Sequence, residues 1–124
     1  MPIKRREIRE SAFLLIFEKI FRQDEELDDI FMSAMEVNEI IVNDEVKKLV
    51  ENVCEKQRTV ERIPKINLAI LRLAIYEAIY EENVPVNVAI SEAVALAGKY
   101  ALEPDVSFVN GVLGSFAKEQ EEKQ

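Results

Sequence analysis

The stretch from Asn67 to Tyr80 reads Asn-Leu-Ala-Ile-Leu-Arg-Leu-Ala-Ile-Tyr-Glu-Ala-Ile-Tyr, and as a helix it is apolar on nearly every side. Only Arg72 and Glu77 interrupt it with charge. A helix that is apolar all round belongs in the interior of a protein, and about 14 residues are too few to cross a bilayer. The sequence therefore predicts a helical domain in which this stretch is the central helix.

The other helices are predicted from apolar residues that recur at helical spacing before and after the central stretch. The predicted helices cover residues 3–22, a segment capped by Asp24, a segment capped by Asn43 that ends before Pro64, the central segment capped by Asn67 that ends near Glu82, residues 86–100 and residues 106–118. Small residues in the fifth helix predict close packing against the central helix. No strand pattern survives, so the predicted fold class is all-α, with about six or seven helices.

The bulk composition indicates one ordered domain. With 124 residues, 48% hydrophobic and 32% charged, the chain can bury one sizeable core and is too short for two independent ones. Three glycines, four prolines and no low-complexity segment argue against a long linker. We therefore expect a single domain over residues 1–124, with residues 118–124 as a frayed tail. No signal-peptide pattern begins the chain, so we expect a cytoplasmic protein without membrane association.

The chemistry-bearing residues argue against an enzyme. There is no histidine, a single cysteine (Cys54, on an apolar helical face) and no glycine-rich phosphate loop, so we expect no metal and no cofactor. Carboxylates are plentiful, but they cluster on stretches that face solvent, as charge runs usually do. The sequence favours a protein that binds over one that catalyses.

Charge is distributed unevenly along the chain, whose net charge is −8. Residues 1–22 carry six Lys/Arg against three Glu, whereas residues 23–62 carry five against twelve. Four of the basic residues, Lys4, Arg5, Arg6 and Arg9, stand in the first turns of the first helix, where they oppose the helix dipole. Either they contact phosphates or they form a solvated face, and both interpretations stay open at this point.

Two further features allow a structural or a functional interpretation. Arg72 and Glu77 form either an internal ion pair or part of a surface that meets a partner protein. Gly111 and Gly114 make a smooth strip on the last helix, which close helix packing would explain most simply. Phe108 beside them is either a core residue or an exposed platform on which a base stacks.

Three segments, read together, resemble the NusB family of bacterial transcription antitermination factors. The first is the basic start, Arg-Arg-Glu-Ile-Arg-Glu at residues 5–10, and the second is Ala-Ile-Leu-Arg-Leu-Ala-Ile-Tyr-Glu at residues 69–77. The third is the C-terminal half, with Asn-Val-Pro-Val-Asn-Val-Ala-Ile-Ser-Glu-Ala-Val at 83–94 and Ser-Phe-Val-Asn-Gly-Val-Leu at 107–113. The resemblance covers the whole chain, is most specific over residues 66–113 and is weak over residues 23–56.

The resemblance implies two packed helical bundles, the first built from helices one to three. It also implies pairing with the ribosomal protein that acts as NusE, binding of boxA-type nascent RNA, and a place in an RNA polymerase antitermination complex on ribosomal RNA operons. Some family members self-associate, so a homodimer is a further expectation. The implied RNA-binding residues are Lys4, Arg5, Arg6, Arg9, Tyr100, Ser107, Phe108 and Asn110. The implied partner-binding residues are Phe17, Asn67, Arg72 and Glu77.

The chain departs from the family pattern mainly at its functional positions. Asn67 stands where an acidic residue is usual, Asn87 and Ser107 where Lys is common, and Ser91, Ala101 and Pro104 where Asn, Gly and Asp are frequent. Two missing cations predict weaker or less salt-dependent RNA binding. The alternatives are a helical protein–protein adaptor that has lost RNA recognition, and a free-standing relative of the helical RNA-binding domain attached to some ribosomal RNA methyltransferases.

Overall fold

The computed structural model describes residues 3–37, 39–56 and 63–122. Its helices are α1 (Arg5–Phe21), α2 (Leu27–Met35), α3 (Asp44–Lys56), α4 (Lys65–Tyr80), α5 (Val86–Tyr100) and α6 (Glu103–Glu122). The described residues contain no strand, so the predicted all-α fold is confirmed. The predicted course of the third helix between residues 57 and 62 lies outside the described residues.

The chain divides into two compact units, Met1–Lys65 and Ile66–Gln124. The first unit contains α1, α2 and α3, and the second contains α5, α6 and all of α4 except its first residue. This division agrees with the two helical bundles that the family resemblance implies. The expectation of a single domain stays a prediction.

In the first unit, α1 packs on both α2 and α3. Each of the three helices buries a stripe of apolar side chains spaced three or four residues apart, as amphipathic helices do. The buried apolar residues are Ile8, Ala12, Phe13, Leu15, Ile16 and Ile20 of α1, Ile30, Phe31 and Ala34 of α2, and Val46, Leu49, Val50 and Val53 of α3.

The two caps predicted in the first unit have different outcomes. Asn43 caps α3 as expected, because its Oδ1 accepts a hydrogen bond of 2.8 Å from the backbone N–H of Val46. Asp24 does not cap α2, which begins at Leu27 after Glu26. Arg22 donates a 2.7 Å hydrogen bond to the carboxylate of Glu25, and the backbone N–H of Glu25 donates to the carbonyl oxygen of Arg22. These residues thus form a turn, and α2 begins only after it. The side-chain bond lowers the pKa of Glu25 and raises the pKa of Arg22.

The helix α4 begins at Lys65, two residues before the predicted cap, Asn67. Asn67 therefore lies inside the first turn, and its side chain is used elsewhere. The four consecutive residues 68–71 are all buried, as the apolar sequence predicted, whereas the last two residues, Ile79 and Tyr80, are exposed. The buried side chains of α4 thus lie in its N-terminal and middle turns, and its last two residues face solvent.

The last two helices pack closely against each other. α5 has the predicted bounds, and its small residues Ala89, Ala93 and Ala97 are buried. The helix packs on α6, and the approach of its small residues to the central helix stays a prediction. α6 begins at Glu103, three residues earlier than predicted, because Pro104 is tolerated in the first turn of a helix. It continues to Glu122, so the described part of the tail is helical rather than frayed.

Candidate nucleic-acid and partner interfaces

The basic start of α1 presents only part of its positive charge to solvent. Lys4 is the N-cap residue and is exposed, as is Arg6. Arg5 is half-buried and its Nη1 lies 3.1 Å from Oε1 of Glu45, at the start of α3. This pair is largely solvated and contributes at most about 1 kcal/mol. It does, however, give Arg5 a carboxylate with which any phosphate must compete.

Arg9 is buried, with only 4% of its surface exposed. Burial of a guanidinium is costly unless the protein itself satisfies its charge and its donors. The structure therefore gives Arg9 a place inside the protein, where it cannot reach an RNA phosphate without rearrangement. Of the four basic residues singled out in the sequence, Lys4 and Arg6 remain as exposed candidates for phosphate contact.

Phe17, a predicted partner-binding residue, belongs to a row of aromatic rings along α1. Its ring centroid lies 6.2 Å from that of Phe13 and 4.8 Å from that of Phe21. Phe21 is 54% exposed, and Nζ of Lys65 lies 4.4 Å from its ring centroid. We call Phe17, Phe21 and Lys65 the aromatic surface. Phe21 and Lys65 were missed in the sequence, although the spacing of Phe13, Phe17 and Phe21 gave the signal.

The three predicted partner-binding residues of α4 are not equally accessible. Asn67 and Glu77 are each only 1% exposed, whereas Arg72 is half-buried. Side chains as deeply buried as Asn67 and Glu77 do not present polar atoms to another protein. Their burial favours roles inside the protein, and of these three residues only Arg72 reaches the solvent.

The amide of Asn67 instead joins the start of α4 to the start of α6. Its Nδ2 donates a 2.9 Å hydrogen bond to Oδ1 of Asp105, and Oδ2 of Asp105 accepts a 3.2 Å bond from the backbone N–H of Leu102. The Oδ1 atom of Asn67 is buried and has no hydrogen-bond partner among the described residues. The reversed amide orientation would set this oxygen against the carboxylate, which fixes the assignment of the two atoms.

The predicted RNA-binding residues of the second unit lie around the α5–α6 junction. Ser107, Phe108 and Asn110 are exposed on α6, and Phe108 leaves 41% of its surface open. The structure thus resolves the two interpretations of Phe108 in favour of an exposed ring. Tyr100 is half-buried at the end of α5, with Nζ of Lys99 5.4 Å from its ring centroid. Lys99 was not singled out in the sequence, although it is an exposed cation beside a predicted site residue.

Gly111 and Gly114 lie on the same face of α6 as Ser107, one and two turns farther along. A Cβ added at either glycine would meet nothing within 4 Å. The prediction that these glycines serve close helix packing is therefore wrong: they leave a low, open strip. The sequence from Val106 to Ala117 contains no charged residue, so nothing on this strip repels a phosphate.

We define the α6 surface as Ser107, Phe108, Asn110, Gly111 and Gly114. It combines an exposed aromatic ring, two hydrogen-bonding side chains and an open backbone strip, which are the groups that bind single-stranded nucleic acid. Among the described residues, no group of three or more His, Cys, Asp or Glu side chains is placed to hold a metal ion. In the same part of the chain, no helix has both the length and the apolarity needed to cross a membrane.

Comparison with known proteins identifies the relatives of this chain. The model of the NusB family matches residues 6–118. The transcription antitermination protein NusB of Finegoldia magna is 37% identical over 134 aligned positions, which cover 96% of this chain and 97% of that protein.

Two solved structures are similar over nearly the full length. The NusB of T. maritima superimposes with a TM-score of 0.78 at 28% identity, over 96% of this chain and 94% of that one. A chain from a crystal structure of the antitermination factors NusB and NusE in complex with double-stranded RNA superimposes with a TM-score of 0.74. It is also 28% identical and covers 93% of this chain and 96% of that chain.

Proposed function

Because this chain belongs to the NusB family, we propose that it is a noncatalytic transcription antitermination factor that binds boxA-type RNA together with the ribosomal protein NusE. It acts in the cytoplasm, as part of an RNA polymerase antitermination complex that supports ribosomal RNA transcription. The observation that carries the proposal is the α6 surface, where Phe108 is exposed beside an uncharged, open strip on a chain that is otherwise strongly acidic.

The α6 surface supplies the contacts to the bases. The exposed ring of Phe108 offers a face on which a base stacks, a contact typically worth about 1 to 3 kcal/mol. Ser107 and Asn110 are exposed on the same helix and can hydrogen-bond base edges or the 2′-hydroxyl group. Gly111 and Gly114 leave room for a sugar–phosphate backbone to approach the helix closely. Tyr100 and Lys99 add a second ring and a cation.

The phosphate contacts come from the start of α1. Lys4 and Arg6 are exposed there and are the two cations that we assign to phosphate contact. Arg5 contributes only if the phosphate displaces Glu45 from its guanidinium. With so few cations, the affinity for RNA depends more on stacking and on NusE than on charge alone.

The NusE contact is assigned to the aromatic surface and to Arg72. Aromatic residues, Phe among them, and Arg are enriched at the cores of protein–protein interfaces, and Phe17, Phe21 and Arg72 are of these types. The acidic chain also suits a basic ribosomal protein, because complementary charge speeds association and suppresses wrong partners.

An electrophoretic mobility shift with boxA RNA, performed with and without NusE, tests this proposal. We expect a shift that becomes stronger when NusE is present, since two proteins then share the contacts to one RNA. RNA of scrambled sequence serves as the control and should shift less. Failure to bind boxA RNA at low salt, with NusE as well as without it, would contradict the proposal.

The second candidate function is a helical adaptor that binds NusE but not RNA. It is favoured by the loss of exposed charge at the start of α1, where Arg9 is buried and Arg5 is paired with Glu45. The adaptor predicts that changing Lys4 and Arg6 to Ala alters no binding reaction.

A homodimer would be detected as a doubled mass in size-exclusion chromatography with light scattering.

A further inference from the structure

Asp105 is the third residue of α6, and its carboxylate serves two partners at once. One oxygen accepts the amide of Asn67 at 2.9 Å, and the other accepts the backbone N–H of Leu102 at 3.2 Å. Leu102 occupies the N-cap position, because its carbonyl oxygen accepts hydrogen bonds from the N–H groups of Asp105 and Val106. The carboxylate thus closes the first turn of the helix onto the residue that precedes it.

This arrangement is half of a capping box. In the complete motif, the N-cap side chain also binds the third residue of the helix, but Leu102 has no polar side-chain atom to do so. The carboxylate of Asp105 therefore supplies the side-chain part of this cap, in addition to the two backbone hydrogen bonds to the carbonyl oxygen of Leu102. Asn67 of α4, which lies 38 residues earlier in the sequence, hydrogen-bonds this carboxylate and so fixes its rotamer.

The buried amide is suited to this task and to no other that the structure shows. Asn67 is 1% exposed and donates to Asp105 while its own oxygen has no hydrogen-bond partner among the described residues. The hydrogen bond to Asp105 therefore offsets part of the cost of burying this amide, while the unpaired oxygen adds to that cost. A carboxylate in the same place would face Asp105 with like charge.

The α6 surface begins immediately after this turn. Ser107 and Phe108 follow Asp105 by two and three residues, and Val109, one turn after Asp105, is completely buried. The start of α6 is thus held in place by the hydrogen bond between Asp105 and Asn67 and by the buried side chain of Val109. The hydrogen bond between Asn67 and Asp105 therefore acts on the turn from which the α6 surface starts.

We propose that the hydrogen bond from Asn67 to Asp105 positions the start of α6, and with it Ser107 and Phe108, for RNA binding. Asn67 is a positioning residue in this role, since it touches no RNA itself. The inference rests on the proposed function for its RNA readout, while its structural consequence, an ordered start of α6, is independent of any ligand.

A swap of the two side chains tests the inference in the full-length protein. N67D places two carboxylates against each other, whereas the double variant N67D/D105N restores a donor and an acceptor with their places exchanged. We expect N67D to weaken boxA RNA binding about tenfold, the equivalent of one charge-assisted hydrogen bond, and the double variant to recover most of that loss. Affinity for RNA is measured by fluorescence anisotropy in the presence of NusE.

The matched control is N83D, which adds the same negative charge at an exposed turn of the second unit. It should leave the affinity for RNA nearly unchanged, which separates positioning from simple repulsion of RNA. Affinity for NusE, measured by calorimetry, should be equal in all four proteins. Each measurement is made well below the midpoint of thermal unfolding, so that loss of folded protein does not imitate loss of binding.

Amide hydrogen exchange provides the readout that does not depend on RNA. We expect residues 102–108 to exchange faster in N67D and to regain protection in the double variant. If wild-type protein fails to bind RNA, the proposed function falls, and the positioning role is decided by hydrogen exchange alone. Unchanged exchange in N67D overturns it. The positioning role is also overturned if the double variant does not regain protection from hydrogen exchange and, in the case that wild-type protein binds RNA, does not regain affinity for RNA.

Discussion

Phe108 leaves 41% of its surface exposed on α6, although it lies in a stretch that is otherwise rich in core residues. Its neighbour Val109 is completely buried, so adjacent positions on one helix have opposite environments. The sequence could name Phe108 as a candidate, but it left core and surface open, because a phenylalanine satisfies both. Only the packing of α6 decides between them.

Substitution of Phe108 tests the stacking role at the level of one residue. F108A should weaken boxA RNA binding by about 5- to 150-fold, which corresponds to about 1 to 3 kcal/mol of lost stacking. F108Y keeps an aromatic face and should bind nearly as wild type, whereas F108L keeps only the apolar volume and should resemble F108A. Anisotropy titrations measure these affinities.

Met32 supplies the control for this series. It is 66% exposed on α2, so M32A removes a large exposed apolar side chain of the first unit. Its affinity for RNA should equal that of wild type. Equal binding by F108L and F108Y would show that no base stacks on this ring.

The element whose structure differs most from its prediction is α6. It begins three residues before the predicted start, its glycines face open space, and its tail remains helical to Glu122. The predicted helix starts only after the Glu-Pro-Asp sequence at 103–105, yet these residues form the first turn of α6. Proline is compatible with both positions, and the hydrogen bond between Asn67 and Asp105 selects the helix.

The open glycines of α6 predict that G111A stabilises the protein. Glycine inside a helix costs about 0.5 to 1 kcal/mol relative to alanine, and an added Cβ at Gly111 would meet nothing within 4 Å. The free energy of unfolding, measured by urea denaturation, should therefore rise by a similar amount. If RNA approaches the strip closely, the affinity for RNA should fall in the same variant.

Gly98 on α5 allows a matched comparison, because an added Cβ there also meets nothing within 4 Å. G98A should gain similar stability without losing affinity for RNA, since it lies outside the α6 surface. A decrease of stability in G111A would mean that another side chain or a second copy of the protein covers this strip in solution.

At the scale of the whole molecule, the charge distribution governs how salt affects binding. The net charge of −8 repels a polyanion, while the exposed cations Lys4 and Arg6 are concentrated at the start of α1. The aromatic surface also lies in the first unit, whereas the α6 surface lies in the second unit. The proposed function thus draws on residues of both units.

The double variant K4A/R6A should bind boxA RNA more weakly and with a shallower dependence on salt. For single-stranded nucleic acid, each phosphate contact contributes about 0.7 to the slope of log K against log salt. Loss of two contacts should therefore reduce the slope by about 1.4. Binding is measured in the presence of NusE over a series of potassium chloride concentrations.

Lys48, exposed on α3, provides the control for this experiment. K48A changes the net charge by one unit but removes no proposed phosphate contact, so its salt slope should equal that of wild type. An unchanged slope in K4A/R6A would favour the adaptor function over direct RNA binding by the first unit.

The all-α fold, the approximate course of most helices and the family follow from the sequence alone. These depend on apolar periodicity and on continuous motifs, which are local properties of the chain. Tertiary structure alone decided that Arg9, Asn67 and Glu77 are buried while Phe108 and the glycines of α6 are exposed. Burial depends on which distant residues meet, as Asn67 and Asp105 do across 38 positions. A local pattern does not contain that information.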